Sequence, residues 1–262
     1  CEKPLAMSLA EADEMLAAAK DAGVIVPVNF VLRYNPVTDA VKAILDSGVL
    51  GRPLSAHLTN CAGDTPLAAA HWFWDKSLSG GIFVEHGVHF FDLYSYWFGE
   101  GKVIAAHAES RDGTTQEDRV MCMIRYESGA IAGHYHGFDQ MTLMDRTDHR
   151  IVCEMGDLRV EGWIPLRLSV DAAVDEAGVE RLAELCPGAA AETVEVYKGE
   201  RGRTMGRGRP RNVTRRVRLD FCPEPDKPAL YAQSARDLLA DQIARLRDSS
   251  HAPKIDEHNG RD

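Results

Sequence analysis

The sequence between residues 79 and 92 is Ser79-Gly80-Gly81-Ile82-Phe83-Val84-Glu85-His86-Gly87-Val88-His89-Phe90-Phe91-Asp92. We expect a helix over residues 82–98, on which Glu85, His89 and Asp92 follow at i, i+4 and i+7 and share one face. A carboxylate one turn from an imidazole can fix its tautomer and raise its basicity, which suits a general acid or base. A solvated, charged helix face is the alternative interpretation of this spacing. His86 points away from Glu85 on such a helix, so we do not expect it in a site.

A second motif opens the chain, where Cys1-Glu2-Lys3-Pro4 leads at once into a helix. Ligands of open α/β sheets bind outside the carboxyl ends of the strands, and Pro4 fixes the turn that directs Lys3. A partly desolvated lysine at such a position can accept or relay the proton of a hydroxyl group. A lysine before a proline is otherwise most often a solvated surface residue, so the motif alone leaves both interpretations open.

The Glu-Lys-Pro tripeptide and the Gly-Gly-x-x-x-acid-x-Gly-x-His-x-x-Asp block together resemble the oxidoreductases grouped with glucose-fructose oxidoreductase, inositol dehydrogenase and MocA. The resemblance implies a dehydrogenase that transfers a hydride between the nicotinamide of NAD or NADP and a secondary alcohol of a sugar, cyclitol or related polyol. It also implies that Lys3 and His89 are catalytic and handle the proton, with Glu85 orienting His89. By the same resemblance, Glu2, Lys3 and Pro4 lie against the cofactor.

The tripeptide stands at an unusual place in the chain. In relatives it lies well inside the sequence, after most of a dinucleotide-binding domain, whereas here it occupies residues 2–4. We therefore expect residues 1–35 to be the remnant of a dinucleotide-binding (Rossmann) domain, and residues 36–262 to be a domain for substrate binding and oligomerisation. A Gly-x-Gly-x-x-Gly loop, which would hold the cofactor pyrophosphate, is not in the sequence. We expect the chain alone to bind cofactor weakly and to be inactive.

Further candidate ligand residues come from single positions compared with that family. An aspartate usually stands where Glu85 stands, so the charge is kept and the reach is longer. Asn29 and Arg33 lie where relatives approach the substrate and the nicotinamide end of the cofactor, and Arg33 could equally form a surface salt bridge. Relatives often carry Trp-Arg-x-Asp where this chain has Trp72-Phe73-Trp74-Asp75. Asp75 is expected to bind a polyol, and Arg33 and Asp92 complete the expected substrate-binding set.

The order of elements at the start of the chain is typical of an α/β domain. Ser8-Leu9-Ala10-Glu11 is a capping box before a helix that Gly23 ends. The apolar run over residues 24–30 predicts a buried strand, and Pro27 within it favours an edge position. Asn35-Pro36 begins a second helix. These elements are expected to be the last strand and the helices of a Rossmann domain.

The remainder of the chain predicts an α+β fold with a large, mostly antiparallel, open-faced sheet and helices on one side. Turn signals at Glu127-Ser128-Gly129 and Gly156-Asp157 predict hairpins, and Lys227-Pro228 begins a late helix. Because strands such as Val120-Met121-Cys122-Met123-Ile124 are apolar on both faces, we expect a homodimer or homotetramer that covers the open face. The strand-like segments lie near residues 53–60, 102–110, 118–126, 129–137, 149–155, 157–161, 165–171 and 213–221.

Composition limits the classes of partner. The net charge is −10, although residues 201–218 hold eight arginines and no acid. The acidic remainder argues against nucleic acid. The arginine run predicts a solvated, flexible insertion, with an anion or partner contact as the alternative. No segment reaches the roughly 20 apolar residues of a membrane helix. The six cysteines form no C-x-x-C pair, which favours reduced thiols and a cytoplasmic protein.

Two other function classes stay open from the sequence. One is a catalytically inactive binding or scaffold subunit of the same fold. The other is a metal-dependent hydrolase or isomerase, because His134 and His136 alternate on one strand and face the same way, and with Glu85 and His89 they could form a carboxylate-and-histidine site. Two core or interface histidines are the alternative interpretation, and we expect no bound metal.

Overall fold

The computed structural model of the chain describes residues 1–63, 67–224 and 226–261. A single π-helical turn, Phe83–Gly87, runs directly into the fourth helix. None of the helices in the described ranges has the length and apolarity that a bilayer crossing requires. The α-helices are α1 (Leu9–Ala22), α2 (Pro36–Ser47), α3 (Lys76–Ser79), α4 (Val88–Phe98), α5 (Glu176–Leu185) and α6 (Lys227–Arg247).

The strands are β1 (Pro53–Cys61), β2 (Gly101–Ser110), β3 (Glu117–Tyr126), β4 (Ile131–Gly137), β5 (Arg146–Cys153), β6 (Gly156–Glu161), β7 (Arg167–Val174), β8 (Ala191–Val196), β9 (Arg203–Gly206), β10 (Arg209–Asn212) and β11 (Arg215–Phe221). One sheet has the order β2-β3-β4-β1-β5-β6-β7-β11-β8, and β9 and β10 form a separate hairpin. Within the large sheet β1 and β4 are parallel and the other neighbours are antiparallel. The large, mostly antiparallel sheet is as predicted.

Local signals in the sequence account for the first two helices. The Ser8 hydroxyl accepts the Glu11 amide and the Glu11 carboxylate accepts the Ser8 amide, which completes the predicted capping box. The Asn35 side chain accepts the first free amides of α2, which starts at Pro36. Gly23 ends α1 in the left-handed conformation, which glycine adopts without a steric penalty.

Helices cover one face of the sheet and leave the other open. On β3 the inner-face residues Val120, Cys122 and Ile124 are buried, whereas Met121 and Met123 on the outer face are about half exposed. Helix α4 fills the inner side with fully buried side chains, and α2 packs beside it in the same core. The α4 residues buried there are Phe90, Leu93, Tyr94, Trp97 and Phe98. This arrangement confirms an open-faced sheet with helices on one side.

The segment over residues 24–30 is not the predicted strand. It lies beside the N-terminus, where the Asn29 amide donates to the Cys1 carbonyl over 2.8 Å and the Cys1 ammonium donates to the Pro27 carbonyl over 2.9 Å. Pro27 has no amide to donate, and the pairing ends after these contacts. The apolar residues of this segment instead enter a second, smaller core, in which Val28 meets Leu5 and Ile255.

The arginine run was predicted as a solvated, flexible insertion. Its residues over 201–212 are mostly exposed, as predicted, but they form regular structure instead of a flexible loop. Residues 203–212 form the β9–β10 hairpin, and residues 215–221 are a strand of the large sheet. Carboxylates elsewhere in the chain bind these arginines: Glu154 accepts from Arg207 and Arg211, and Asp171 from Arg216 and Arg218. Opposite charges supplied by distant residues therefore order a segment that is locally all basic.

Smaller boundary errors have similar causes. The turn between β5 and β6 lies at Glu154 and Met155, so Gly156 is the first residue of β6 and not part of the hairpin turn. Helix α5 and strand β8 lie in a region for which the sequence predicted no element. Strand β8 is an edge strand with mostly exposed residues, which leaves little hydrophobic alternation to detect.

Buried histidines of the inner face predict a loss of stability in mild acid. Burial lowers the pKa of His149 to about 3, against about 6.5 in an unfolded chain. The unfolded state binds more protons below that value, so stability falls as pH falls from about 6.5 toward about 3. Between about pH 7 and pH 5 this costs about 2 kcal/mol for such a histidine. His149→Phe should flatten the pH dependence of the urea unfolding midpoint, while His107→Phe, at an exposed histidine, should not. Equal slopes in all three proteins would contradict this.

The open face predicts self-association. Met121, Met123 and Ile131 expose 48%, 45% and 45% of their surface there, and burying apolar side chains of this kind stabilises a dimer. We expect a homodimer or homotetramer by light scattering, and a monomer when Met121 and Met123 are both changed to Glu. Met205→Glu, on the exposed β9–β10 hairpin, is the matched control and should leave the mass unchanged. A monomeric unmodified chain at high concentration would rule this interface out.

Candidate active site

The N-terminal tripeptide delivers a lysine to the π-helical turn. The Glu2 carboxylate accepts the Asn29 side-chain amide over 3.1 Å, and the Lys3–Pro4 peptide is cis. Lys3 Nζ donates to Glu85 Oε1 over 2.7 Å and to the Glu85 carbonyl over 2.5 Å. The two side chains are 17% and 19% exposed, so the pair is shielded from bulk water and still reachable. The structure thus brings together Glu2, Lys3, Asn29 and Glu85.

The turn that carries Glu85 is held at its start by Glu117 of β3. Glu117 Oε1 accepts the Ile82 amide over 2.9 Å, and its other oxygen accepts Lys76 Nζ over 2.7 Å. A Cβ atom on Gly81 would lie 2.7 Å from Glu117 Oε1, and the φ of this residue is +86°. Glycine is therefore required at position 81, because the Glu117 carboxylate passes directly over it. Such π-helical turns are frequent at functional sites.

His89 lies at the start of α4 as a neutral imidazole. Its ring meets the ring of Trp163 edge to face at 5.1 Å, and its Nδ1 is buried without a hydrogen-bond partner among the described residues. Burial first, and then the charge of Lys3 and of His86, lowers the pKa of His89 to about 3. At neutral pH His89 can therefore accept a hydrogen bond.

The expected contact between Glu85 and His89 is not made in the described residues. The Glu85 carboxylate bonds Lys3, and His89 packs on Trp163. The cause is the π-helical turn, which contains Glu85 and widens the helix there, so that i, i+4 spacing no longer aligns the two side chains. Glu85 therefore contacts Lys3 and not His89.

Arg33 and Asp92 form a buried ion pair. Arg33 Nε and Nη2 donate to the two Asp92 oxygens over 2.9 and 2.7 Å, and Nη1 donates to the Lys254 carbonyl over 3.0 Å. Burial raises the pKa of Asp92 to about 6, against the opposing attraction of Arg33, so Asp92 is mostly ionised at neutral pH. The predicted contacts of Arg33 with cofactor or substrate, and of Asp92 with substrate, would require this pair to open.

Asp75 stands apart from the Lys3 pair. It accepts the Ser77 amide over 2.9 Å and the Ser77 hydroxyl over 2.7 Å, and these bonds lower the pKa of its carboxyl. It lies at a surface concavity of about 560 Å³, beside the half-exposed ring of Trp72 and the Gln116 amide. A polyol could reach this carboxylate from solvent, so its expected role stays a prediction.

The strand histidines are part of the core. His134 and His136 share the inner face of β4, as the sequence predicted, and both are fully buried. His134 lies 4.4 Å from Tyr94, ring centre to ring centre, and His136 lies 5.5 Å from Phe90. Across the described ranges, no three potential ligand side chains converge in a geometry suited to a metal ion.

Sequence reasoning missed several residues around the site. Glu117, Trp163 and Asn60 contact the Ile82 amide, the His89 ring and the His86 ring. Each comes from a different strand or turn, and no local spacing connects it with residues 82–89. A glutamate immediately before the strand predicted over residues 118–126 was the one available signal, since a carboxylate can cap a neighbouring helix.

Comparison with known proteins identifies relatives that align with about half of the chain. Residues 38–159 match the family model of the GFO/IDH/MocA C-terminal domain. The chain is 30% identical to 1,5-anhydro-D-fructose reductase of Ensifer adhaerens, over 53% of this chain and 42% of that enzyme. It is 29% identical to myo-inositol 2-dehydrogenase of Thermotoga maritima, over 50% of this chain and 40% of that enzyme. The chain thus spans less than half the length of these relatives.

Solved structures give the same fold. Levoglucosan dehydrogenase, solved with NADH and levoglucosan, is 26% identical and superposes with a TM-score of 0.60 over 68% of this chain and 51% of that chain. An oxidoreductase from Agrobacterium radiobacter, solved with NAD⁺, L-tartaric acid and magnesium, superposes over 100% of this chain and 66% of that chain with a TM-score of 0.66. At 18% identity, the second likeness concerns the fold alone.

The buried ion pair predicts a large stability difference between two aspartates. Asp92→Asn removes the charge that faces buried Arg33, and breaking a buried pair costs about 3–5 kcal/mol. Asp46→Asn breaks the exposed Lys42–Asp46 pair on α2 and should change the free energy of unfolding by less than about 0.5 kcal/mol. Urea unfolding of both variants measures the difference. Equal unfolding midpoints would show that Arg33 finds solvent or another partner.

Proposed function

We propose a function on the premise that the chain belongs to the Gfo/Idh/MocA oxidoreductases, whose C-terminal domain it carries in residues 38–159. The proposed reaction is reversible hydride transfer between the nicotinamide of NAD or NADP and a secondary alcohol of a sugar, cyclitol or related polyol. Relatives named for reduction of an anhydrosugar and for oxidation of an inositol support this substrate class.

The observation that carries the proposal is the cluster of Lys3, Glu85 and His89. A secondary alcohol that loses a hydride must also lose its hydroxyl proton, and the reverse reaction must return it. The Lys3 ammonium, fixed by the Glu85 carboxylate, is a proton donor, and its charge acts on the buried, neutral imidazole of His89, which can accept a hydrogen bond. Lys3 would stabilise the developing alkoxide and protonate it in reduction, and it would take the same proton back from the hydroxyl in oxidation. The neutral His89 imidazole would accept a hydrogen bond from that hydroxyl and so orient it.

The residues around Lys3 fit a nicotinamide. When bound, NAD or NADP supplies the group that accepts or returns the hydride. Lys3 and Asn29 are partly exposed donors on adjacent segments, which suits the hydroxyl of a substrate and the carboxamide of the cofactor. Glu2 holds the Asn29 amide, and Pro4 follows Lys3 through the cis bond that shapes the segment.

The same proposal assigns the two parts of the chain. Residues 1–35 would belong to the dinucleotide-binding side, and residues 36–262 would bind substrate and a second copy of the chain. Lys3 and Glu85 then meet across the boundary between the two parts. We further propose a cytoplasmic enzyme, which the scattered spacing of the six cysteines supports.

The proposal is tested on the product of the complete open reading frame that contains this chain, beside the chain itself. We expect micromolar binding of NADH or NADPH to the former by calorimetry and much weaker binding to the latter. Lys3→Ala and His89→Ala should each lower turnover of an inositol or anhydrosugar by about 10², and the double variant should be little worse than the poorer single one, because the residues act as a unit.

Lys20→Ala, at an exposed lysine in the last turn of α1, is the control and should keep full turnover. Wild-type turnover in His89→Ala would show that His89 has a structural role and no catalytic one. No binding of either cofactor to the complete product at millimolar concentration would overturn the dehydrogenase proposal.

A further inference from the structure

A buried hydrogen-bond chain runs from the sheet to the π-helical turn. Asn60 of β1 and Thr147 of β5 are neighbours in register on the inner face and are 2% and 3% exposed. Asn60 Nδ2 donates to Thr147 Oγ1 over 2.7 Å, and Asn60 Oδ1 lies 2.7 Å from His86 Nε2. The reaction proposed above uses none of these three side chains.

The orientation of the Asn60 amide determines which way the His86 bond runs. With Nδ2 of Asn60 donating to Thr147, only the carbonyl oxygen of the amide faces His86, and this oxygen can only accept. His86 Nε2 must therefore carry the proton. Burial lowers the pKa of His86 to about 4, so the ring is neutral at pH 7 and is held as the Nε2–H tautomer.

The π-helical turn needs such a tether. It follows Gly80 and Gly81, whose φ values of +75° and +86° lie in the left-handed region that glycine adopts without a steric penalty. Glu117 holds the start of the turn through the Ile82 amide, and α4 continues from its end. Between these two ends, the bond from His86 to Asn60 ties the turn itself to the sheet and limits its rotation there.

Glu85 and His86 are adjacent and leave the turn in different directions. His86 enters the space above the sheet, where its ring meets Phe138 and His136, and Glu85 reaches Lys3. With the rotation of His86 fixed, the Glu85 carboxylate and carbonyl are aimed at Lys3 Nζ. A rotation of the turn would move all of these atoms together.

We propose that Asn60 is a positioning residue that acts through His86 to hold Glu85 against Lys3, with Thr147 orienting the Asn60 amide. The part of this inference that concerns turnover rests on the function proposed above, and the part that concerns the Lys3–Glu85 contact does not. A misplacement of about 1 Å at a reacting group can lower a rate by about 10², so a tether of this kind is able to affect turnover without touching substrate.

The first measurement needs no activity. Acetylation of Lys3 by an amine reagent, followed by peptide mass spectrometry, reports whether Glu85 covers Nζ, with exposed Lys20 as the internal reference. We expect Asn60→Ala to raise the acetylation rate of Lys3 several-fold. Thr147→Val removes the hydroxyl at nearly constant shape and should raise it less, and Thr147→Ser keeps the hydroxyl and should restore protection. The Thr147 variants keep the test decisive if Asn60→Ala does not fold.

A matched control separates positioning from general destabilisation. Val160→Ala truncates a buried side chain of β6, away from the turn, and should leave Lys3 as protected as in the unmodified chain. Nitrogen-15 spectra of the histidine rings should show His86 as the Nε2–H tautomer. An Nδ1–H tautomer, or unchanged Lys3 acetylation in Asn60→Ala and Thr147→Val, would overturn the proposal.

Turnover then separates this proposal from the function. In the complete gene product Asn60→Ala should lower kcat about tenfold or more, as expected for residues that orient a reacting group, and leave KM for the sugar nearly unchanged. If Lys3 loses protection as expected but the unmodified product transfers no hydride, the dehydrogenase proposal fails and the positioning role stands. Full kcat in Asn60→Ala would overturn the positioning role.

Discussion

The candidate site depends on how helix α4 packs on the inner face of the sheet. The helix presents aromatic side chains to that face, and its residue Trp97 also donates from Nε1 to the Thr38 carbonyl of the neighbouring helix α2. Asp92 then ties the helix to Arg33, which holds the Lys254 carbonyl of the C-terminal segment. Because α4 cannot slide or rotate without breaking this pair, His89 is held in place on the sheet, and the π-helical turn before it is held in addition by the bond from His86 to Asn60.

The packing of α4 also explains why the histidines of the candidate site are neutral while Lys3 is charged. Burial of α4 and of the turn before it keeps His86 and His89 neutral, since burial is the first cause of the lowered pKa of each ring. The Lys3 ammonium, in contrast, lies at the edge of the packed region with a carboxylate beside it. One charged donor and one neutral acceptor can therefore coexist within the same cluster at neutral pH. The same burial that gives His89 its neutral form is unfavourable to folding in acid, so stability and site chemistry have a common origin.

The sequence predicted what depends on neighbouring residues and failed where distant residues decide. The capping box at Ser8 and the Asn35 cap are local, and the hydrophobic alternation of β3 needs only its own strand. The run over residues 24–30 was assigned as a strand because it is apolar, yet a ladder also needs partners, and the backbone bonds that Pro27 and Asn29 make with Cys1 do not extend into one. The arginine run was assigned as flexible because its partner acids, Glu154 and Asp171, are far away in sequence.

In the candidate site, too, the sequence predicted some features, and others depend on the tertiary structure. The N-terminal tripeptide and the block over residues 79–92 predicted site roles for Lys3 and Glu85. These two residues form an ion pair although 82 positions separate them in the sequence. The predicted alignment of Glu85 with His89 assumed regular helix, and a widened turn redirected the carboxylate. The family match covers residues 38–159 and so includes Glu85 but not Lys3 or Lys254. Residues outside the matched domain therefore supply the ammonium and fix α4 through Arg33. The matched domain thus presents the carboxylate and the imidazole, and the site is complete only where the flanking segments fold back onto it.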